Sequence, residues 1–161
     1  MTNDSEFSLF YAHNLTKIYG TFNSRIANII TFIQILFGSS LALDVTKTFP
    51  LLSDYHWTFW TGAIVTATAI LSFVYKFDEK ALLSNQLYRH YGSIISKYRH
   101  NPALDIDHEM LNLPIDEIKI VGAFEDIAYK RTAIQLSRDD HIKLDCYQCF
   151  IAYFSGDSFN D

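Results

Sequence analysis

The stretch IANIITFIQILFGSSLAL, residues 26–43, and the stretch YHWTFWTGAIVTATAILSFVY, Tyr55–Tyr75, together decide the fold. Neither contains Asp, Glu, Lys or Arg, and charged residues border both of them. A helix of either length would measure about 27–31 Å, close to the thickness of about 30 Å of a bilayer's hydrocarbon core. The sequence therefore predicts an all-α membrane protein with a two-helix transmembrane hairpin.

Composition favours the same interpretation. Tyr55, Trp57 and Trp60 begin the second stretch and Tyr75 ends it, as in the aromatic belts at membrane interfaces. The alternative is a pair of central helices in a soluble bundle, because both stretches also carry hydroxyl side chains and the first carries amides. A net charge of -5 and the absence of a Lys/Arg run argue against direct nucleic-acid binding.

Loop charges predict the topology. The linker 44–54 has one basic residue, Lys47, whereas the flanking segments carry more. The positive-inside rule then predicts a multi-pass membrane protein with both termini in the cytoplasm. The acidic start MTNDSEFSLF lacks the basic region of a signal peptide, so we expect a retained anchor.

The chain divides into three predicted segments: a cytoplasmic lead-in helix at 1–25, the hairpin at 26–76 and a helical cytoplasmic domain at 77–161. Gly20 and Asn23 are candidates for a bend before the membrane. The second span is predicted to continue as an amphipathic helix that stops before Pro102. The apolar positions that recur at helical spacing are Phe7, Phe10, Leu15 and Ile18, then Phe77, Leu83, Leu87, Tyr91, Ile94, Ile95 and Tyr98.

Three further elements complete the predicted cytoplasmic domain. An acidic turn covers 105–113, and Pro114 opens a helix that runs to Leu136. A last helix over 138–154 is predicted to be capped by Ser137, with Asp140 three residues on.

Polar and small residues follow one face of the first span. Their steps of three and four residues keep them on one side of a helix. Two interpretations stay open: a helix–helix contact that needs close approach, or the lining of a water-filled pathway in an oligomer. The residues are Asn28, Thr31, Gln34, Gly38 and Ala42.

The second span has a similar line of small residues, Thr58, Gly62 and Thr66, which repeat every four positions. Such spacing is common where membrane helices pack closely. We expect this line to contact the first span or a neighbouring subunit.

No enzyme motif is present: no P-loop, no glycine-rich dinucleotide loop, no nucleophile elbow and no zinc-protease helix. Cys146 and Cys149 lack a second cysteine pair, so packed thiols are expected rather than a zinc site, although His141 could join them. We therefore predict no enzyme activity, cofactor or metal. The Arg–His spacing of HEPN-type nucleases is absent, so surface positions are expected for His90, His100, His108 and His141. A solvated turn is expected for the carboxylates Asp105, Asp107, Glu109, Asp116 and Glu117.

The layout of a lead-in helix, two spans, a long helix leaving the second span and further cytoplasmic helices resembles SLATT-family effector proteins. The resemblance covers about residues 7–154 and includes a loose likeness in LYRHYGSIISKYRHNPALDIDHEML and AFEDIAYKRTAIQLS. The layout is also similar to a small pore-forming accessory protein of RNA-targeting CRISPR systems. The resemblance implies a membrane effector of the bacterial inner membrane that kills or arrests an infected cell, with a nucleotide-second-messenger or CRISPR-type defence component as a partner.

Three classes of function compete at this point. The first is a homo-oligomeric pore of more than four copies that perturbs the membrane in anti-phage defence. The second is a phage or prophage membrane protein, holin-like or an exclusion factor, which would rarely need so large a cytoplasmic domain. The third is a sensor or adaptor subunit that the hairpin only anchors.

Overall fold

The computed structural model describes residues 2–42, 55–113, 120, 122–139, 142–157 and 159. The described residues form helices and connections without a strand, which confirms the predicted all-α class. The helices are α1 (Thr2–Ala42), α2 (Tyr55–Tyr75), α3 (Phe77–His100), α4 (Ile106–Leu111), α5 (Gly122–Gln135) and α6 (Cys146–Phe154).

The chain divides into two compact units. The helical core unit combines Met1–Asn23 with Glu79–Asp161, and the apolar unit is Ser24–Asp78. The start of α1 therefore shares its core with α3 to α6, although α2 lies between them in the sequence.

Helix α1 supplies two apolar clusters of the helical core unit from two successive parts of its length. Leu9 and Phe10 pack in a cluster with the stripe of α3 and with Ile106 of α4. Two turns further on, Ile18 and Tyr19 pack against the inner faces of α5 and α6. The other members of these clusters are Leu87, Tyr91, Ile94 and Ile95 in the first, and Phe124, Ile127, Ala128, Ile151 and Ala152 in the second.

The predicted bend at Gly20 and Asn23 does not interrupt α1, which is helical through both residues. Gly20 instead serves close packing, because a Cβ at this position would lie 3.0 Å from Cβ of the fully buried Ser84. The amide of Asn23 turns back and donates to the carbonyl oxygen of Tyr19 at 2.7 Å.

Helices α2 and α3 are separated at Lys76, which adopts a φ of 50°. The predicted continuation of the second span is therefore interrupted there by a left-handed residue. Further along, the prediction for α3 is confirmed: Leu87, Tyr91 and Ile94 are buried. The helix ends at His100, two residues before Pro102.

The predicted acidic turn contains a short helix, α4, because Asp105 caps it by accepting from the backbone N–H of His108 at 3.2 Å. Helix α5 begins at Gly122. The predicted start at Pro114 lies outside the described residues.

The predicted cap of the last helix is wrong. Ser137 follows α5 in a turn with a φ of 52°, and residues 142–145 are not helical. Asp145 caps α6 instead, since its carboxylate accepts from the first-turn backbone while Gln148 Oε1 accepts from the Asp145 N–H at 2.9 Å. This reciprocal pair satisfies backbone donors that the helix leaves free, so the helix starts at Cys146.

Candidate functional site

The outward surface of α2 is the most unusual feature of the apolar unit. Ile70 is 59% exposed and Phe73 is 83% exposed, and Phe59, Trp60 and Val74 are similarly open. Helix α2 itself carries no charged side chain. Water disfavours a continuous apolar surface of this kind, which in soluble proteins marks an interaction site.

Most of the polar side chains that the structure describes on α2 lie on its sheltered side. Thr61 is 2% exposed, and Val65, Thr68 and Ser72 are partly buried at steps of three and four residues. The hydroxyl of Thr68 donates to the carbonyl oxygen of Ile64 at 2.9 Å, so it is satisfied within the helix. The pattern is the reverse of a water-soluble helix: large apolar side chains face outward, and the hydroxyls of Thr61, Thr68 and Ser72 are sheltered although that of Thr66 is exposed.

Among the described residues, one helical run is long and apolar enough to span a membrane, Phe59–His100, and α2 provides its apolar part. The core helix of a soluble protein can satisfy the same criteria of length and composition. Such a helix is mostly buried, however, whereas 6% of the apolar window of this run is buried. Helix α2 is therefore a candidate membrane span with an exposed apolar surface.

The second half of α1 combines a sheltered strip with a broad apolar surface. Ala27 and Ile30 are buried, while Phe32, Ile35 and Leu36 are exposed. Large apolar side chains therefore point outward in this segment as they do in α2, although its sheltered strip is apolar.

The predicted polar face of α1 lies across the border between its sheltered and exposed sides. Asn28 and Thr31 are exposed, whereas Gln34 and Gly38 are partly buried. The side chain of Ala42 lies outside the described residues. The face is therefore divided within one chain: its first two members are accessible from outside, and the next two are partly covered.

The predicted line of small residues on α2 is also divided between partly buried and exposed positions. Gly62 is partly buried and Thr66 is exposed, while the side chain of Thr58 lies outside the described residues. A Cβ added at Gly62 or at Gly38 would meet nothing within 4 Å. Among the described residues, neither glycine thus has a close neighbour at its Cβ position, which leaves room there for another molecule.

In the helical core unit, polar side chains pair across long sequence distances. Asn14 of α1 donates to Thr132 Oγ1 and to Gln135 Oε1, both at 3.0 Å. The buried Asp157 carboxylate lies 4.0 Å from Lys17 Nζ and 3.7 Å from Arg131 Nε. These pairs join α1, α5 and the segment after α6, and they give the buried Asn14, Thr132 and Asp157 side chains structural partners.

His13 was not singled out by sequence reasoning, yet it is the unusual histidine of this unit. Its ring stacks on Tyr88 with centroids 4.4 Å apart, and its buried Nδ1 has no hydrogen-bond partner. Burial lowers the pKa of His13, and the positive charges of Lys17 and Arg99 lower it further. The histidine is therefore held in its neutral form.

Three of the four histidines that were predicted at the surface are described, and they are exposed as predicted. His90, His100 and His108 are exposed, and His141 lies outside the described residues. His100 Nδ1 lies 2.9 Å from the Ser96 carbonyl oxygen, a contact within one helix.

The predicted acidic turn has structural partners for its described carboxylates. Asp107 accepts from Ser5 Oγ at 2.8 Å, and Glu109 pairs with Lys97 Nζ at 2.8 Å. Asp116 and Glu117 lie outside the described residues. In the part of the chain that the structure describes, no group of three His, Cys, Asp or Glu side chains could hold a metal ion.

The prediction of packed thiols is wrong, because Cys146 and Cys149 are both free and exposed. The inward face of α6 is set by Ile151 and Ala152, which pack against α1 and α5. The cysteines lie on the opposite side of this helix, with Phe150 and Tyr153.

Comparison with protein-family models, curated proteins and solved structures found no match to this chain.

Proposed function

We propose that this protein is a two-span membrane protein in which residues 26–43 and α2 cross the bacterial inner membrane, with both termini in the cytoplasm. The inverted surface of α2 carries the proposal, because its exposed Ile70 and Phe73 suit hydrocarbon while Thr61 and Thr68 are sheltered. The similar pattern of α1 around Phe32 and Ile35 supports a second span beside it.

Its function in this proposal is to form a homo-oligomer of more than four copies that opens a pore or otherwise perturbs the membrane. Asn28 and Thr31 support it, because exposed amide and hydroxyl groups among apolar side chains are costly to place in lipid. A neighbouring copy or a water-filled pathway would satisfy them. The open surroundings of Gly38 and Gly62 leave room for such a neighbour.

The biological setting in this proposal is anti-phage defence by abortive infection, as the layout shared with SLATT proteins implies. A nucleotide-second-messenger or CRISPR-type component would supply the trigger, and the protein itself would act without enzymatic chemistry. The separate helical core unit, with two apolar clusters of its own, suits a domain that receives such a signal better than a holin-like lysis protein.

A membrane-anchored sensor or adaptor subunit is the second candidate. A pocket of about 330 Å³ on the helical core unit favours it, because aromatic and acidic side chains line this pocket. In this alternative the hairpin anchors the chain without conducting ions.

A matched pair of substitutions tests the membrane span. Ile70 of α2 and Ile134 of α5 are exposed to similar extents, 59% and 50%. An aspartate within a spanning helix costs about 2.5–3.5 kcal/mol of insertion free energy, whereas an aspartate at a water-facing site costs little. We expect Ile70→Asp to remove the protein from alkali-washed membranes and Ile134→Asp to leave it there. Equal membrane retention of both variants would contradict the span.

The oligomer and the pore need separate measurements. We expect the purified chain to require detergent or lipid and to give a mass of more than four copies in mass photometry, and vesicles that contain it to release a trapped dye. A monodisperse monomer without detergent would overturn the membrane assignment. A membrane-inserted protein that releases no dye at any protein-to-lipid ratio would favour the anchored sensor.

A further inference from the structure

The helical core unit has a surface pocket whose walls combine aromatic rings with carboxylates. Its volume is about 330 Å³, near the lower end of the range of about 300–1,000 Å³ that is typical of small-molecule sites. Two helices and one following segment contribute the lining: Phe7, Ser8 and Tyr11 of α1, Glu125, Asp126 and Tyr129 of α5, and Ile142.

The aromatic wall is built from three rings, two on α1 and one on α5. Phe7 and Tyr11 are one turn apart on α1, with ring planes 10° apart and centroids separated by 6.4 Å. Tyr129 approaches Phe7 from α5, with a centroid distance of 5.1 Å and an angle of 59°. The pocket is therefore bordered by ring faces in more than one orientation, as in the aromatic cages that bind ammonium groups.

The acidic wall comes from the first turns of α5. Glu125 is exposed, and Asp126 is partly buried, where Oδ2 accepts from Gln148 Nε2 at 2.6 Å. Burial raises the pKa of Tyr11, and the negative charges of Glu125 and Asp126 raise it further. The field of both carboxylates thus reaches the aromatic wall, and none of the described lining residues is basic.

A cation of the chain already lies on one of these rings. The guanidinium carbon of Arg138 is 4.9 Å from the centroid of Phe7, within the distance of a cation–π contact. Arg138 is not one of the residues that line the pocket. The aromatic wall therefore accepts positive charge in this structure, while the pocket beside it retains its own volume.

We propose that this pocket binds a small organic cation that carries an alkylated ammonium group. Such a group is weakly hydrated, so aromatic faces and nearby carboxylates can compensate for the water that it loses. The same carboxylates repel phosphates and carboxylic acids, which disfavours nucleotides and anionic metabolites as occupants. The site goes beyond the proposed membrane function and does not depend on it.

The test compares two probes of nearly equal shape, choline and 3,3-dimethylbutan-1-ol, in which carbon replaces the charged nitrogen. The full chain, in an uncharged maltoside detergent, is titrated while the methyl protons of each probe are followed by NMR. We expect saturable binding of choline with an upfield shift of its methyl signal, because rings face it. The neutral probe should bind at least about tenfold more weakly, since it lacks the cation–π and carboxylate attraction.

Two substitutions locate the binding in the pocket. Tyr129→Leu keeps apolar bulk but removes a ring face, and Glu125→Gln keeps the shape but removes a charge; both residues are exposed. Each should weaken choline binding by about tenfold. Tyr147→Leu is the matched control, because Tyr147 is exposed on α6 outside the pocket, and its affinity for choline should equal that of the wild type.

Three results would overturn the proposal. The first is equal affinity for choline and the neutral probe in the wild-type protein, a comparison that requires no variant to fold. The second is the same loss of affinity in Tyr129→Leu and Tyr147→Leu. The third is the absence of saturable choline binding by a preparation whose helical circular dichroism is intact.

Discussion

The side-chain amide of Asn14 donates a 3.0 Å hydrogen bond to the hydroxyl oxygen of Thr132, although 118 positions separate the two residues in the chain. The Thr132 hydroxyl donates in turn to the carbonyl oxygen of Ala128 at 2.8 Å. Both residues are buried, so the chain of bonds ties α1 to α5 where water does not compete.

Asn14→Ala should destabilise the helical core unit, because it leaves the buried Thr132 Oγ1 without its donor and creates a small cavity. We expect the free energy of unfolding to fall by about 1–3 kcal/mol. Thermal unfolding followed by circular dichroism in detergent measures the effect. Gln86→Ala is the control, since Gln86 is exposed on α3 and a surface change of this kind usually stays within about 0.5 kcal/mol. Equal unfolding temperatures for both variants would contradict the structural role of Asn14.

The second prediction concerns His13 and pH. Its pKa in the folded protein is lowered, first by burial and then by Lys17 and Arg99, so the unfolded chain binds the proton more readily. Stability from the neutral ring is complete above the unfolded pKa of about 6.5 and is lost as the pH falls through the lower folded pKa. We expect the unfolding temperature to fall as the pH is lowered from 7.5 to 5.

His13→Phe should reduce this dependence on pH. Phenylalanine keeps a ring against Tyr88 and removes the Nδ1 atom that is buried without a hydrogen-bond partner. His90→Phe is the control, because His90 is exposed and should leave the slope unchanged. If the two variants keep the same pH profile as the wild type, His13 does not carry the effect.

The third prediction tests the topology with the two cysteines of the chain. Cys146 and Cys149 are exposed, so both can react with a maleimide. If the C-terminal part is cytoplasmic, a membrane-impermeant maleimide should label intact bacterial cells weakly and permeabilised cells strongly.

The control for labelling moves the thiol to the linker between the two predicted spans. Ser53→Cys, in a chain with Cys146→Ser and Cys149→Ser, should react in intact cells because the linker is predicted to face the outside. Labelling of the native cysteines in intact cells would place the helical core unit outside the cytoplasm and contradict the predicted orientation.

Local patterns predicted the elements of this fold well where one face of a helix is buried. The spacing of Leu87, Tyr91 and Ile94 identifies the inner stripe of α3, because burial enforces helical periodicity. The sequence also contains a capping-box pattern at the start of α6 that was not used in the prediction. Asp145 and Gln148 match its spacing and residue types better than Ser137 and Asp140.

Contacts between segments that are distant in the sequence could not be predicted from local patterns. Phe7 and Tyr11 are one turn apart, and so are Glu125 and Tyr129, but nothing local indicates that the two pairs meet in one pocket. The exposure of the Cys149 side chain was not predicted for a related reason. Its side of α6 depends on where Ile151 and Ala152 find their partners in α1 and α5, which is a tertiary choice.

The last prediction separates the two interpretations of the polar face of α1. Asn28 is exposed and Gln34 is partly buried, so the two amides need not have the same role. Replacing both with leucine favours insertion, because an amide is more costly than leucine within a bilayer. If these side chains line a pathway, the double variant should reduce dye release while its abundance in the membrane fraction stays level, since an apolar constriction tends to dewet.

The single variants and the mass of the solubilised oligomer distinguish a helix–helix contact from a pathway lining. If the amides join helices, each hydrogen bond lost is worth about 0.6–2 kcal/mol, and the mass of the solubilised complex should fall together with dye release. Asn28→Leu should then have the larger effect on assembly, because the exposed amide is the one that a neighbouring copy can reach. Ile35→Leu is the matched control, since Ile35 is exposed and already apolar. Full dye release from the double variant, with an unchanged oligomer, would reject both roles and indicate that the polar face contacts lipid.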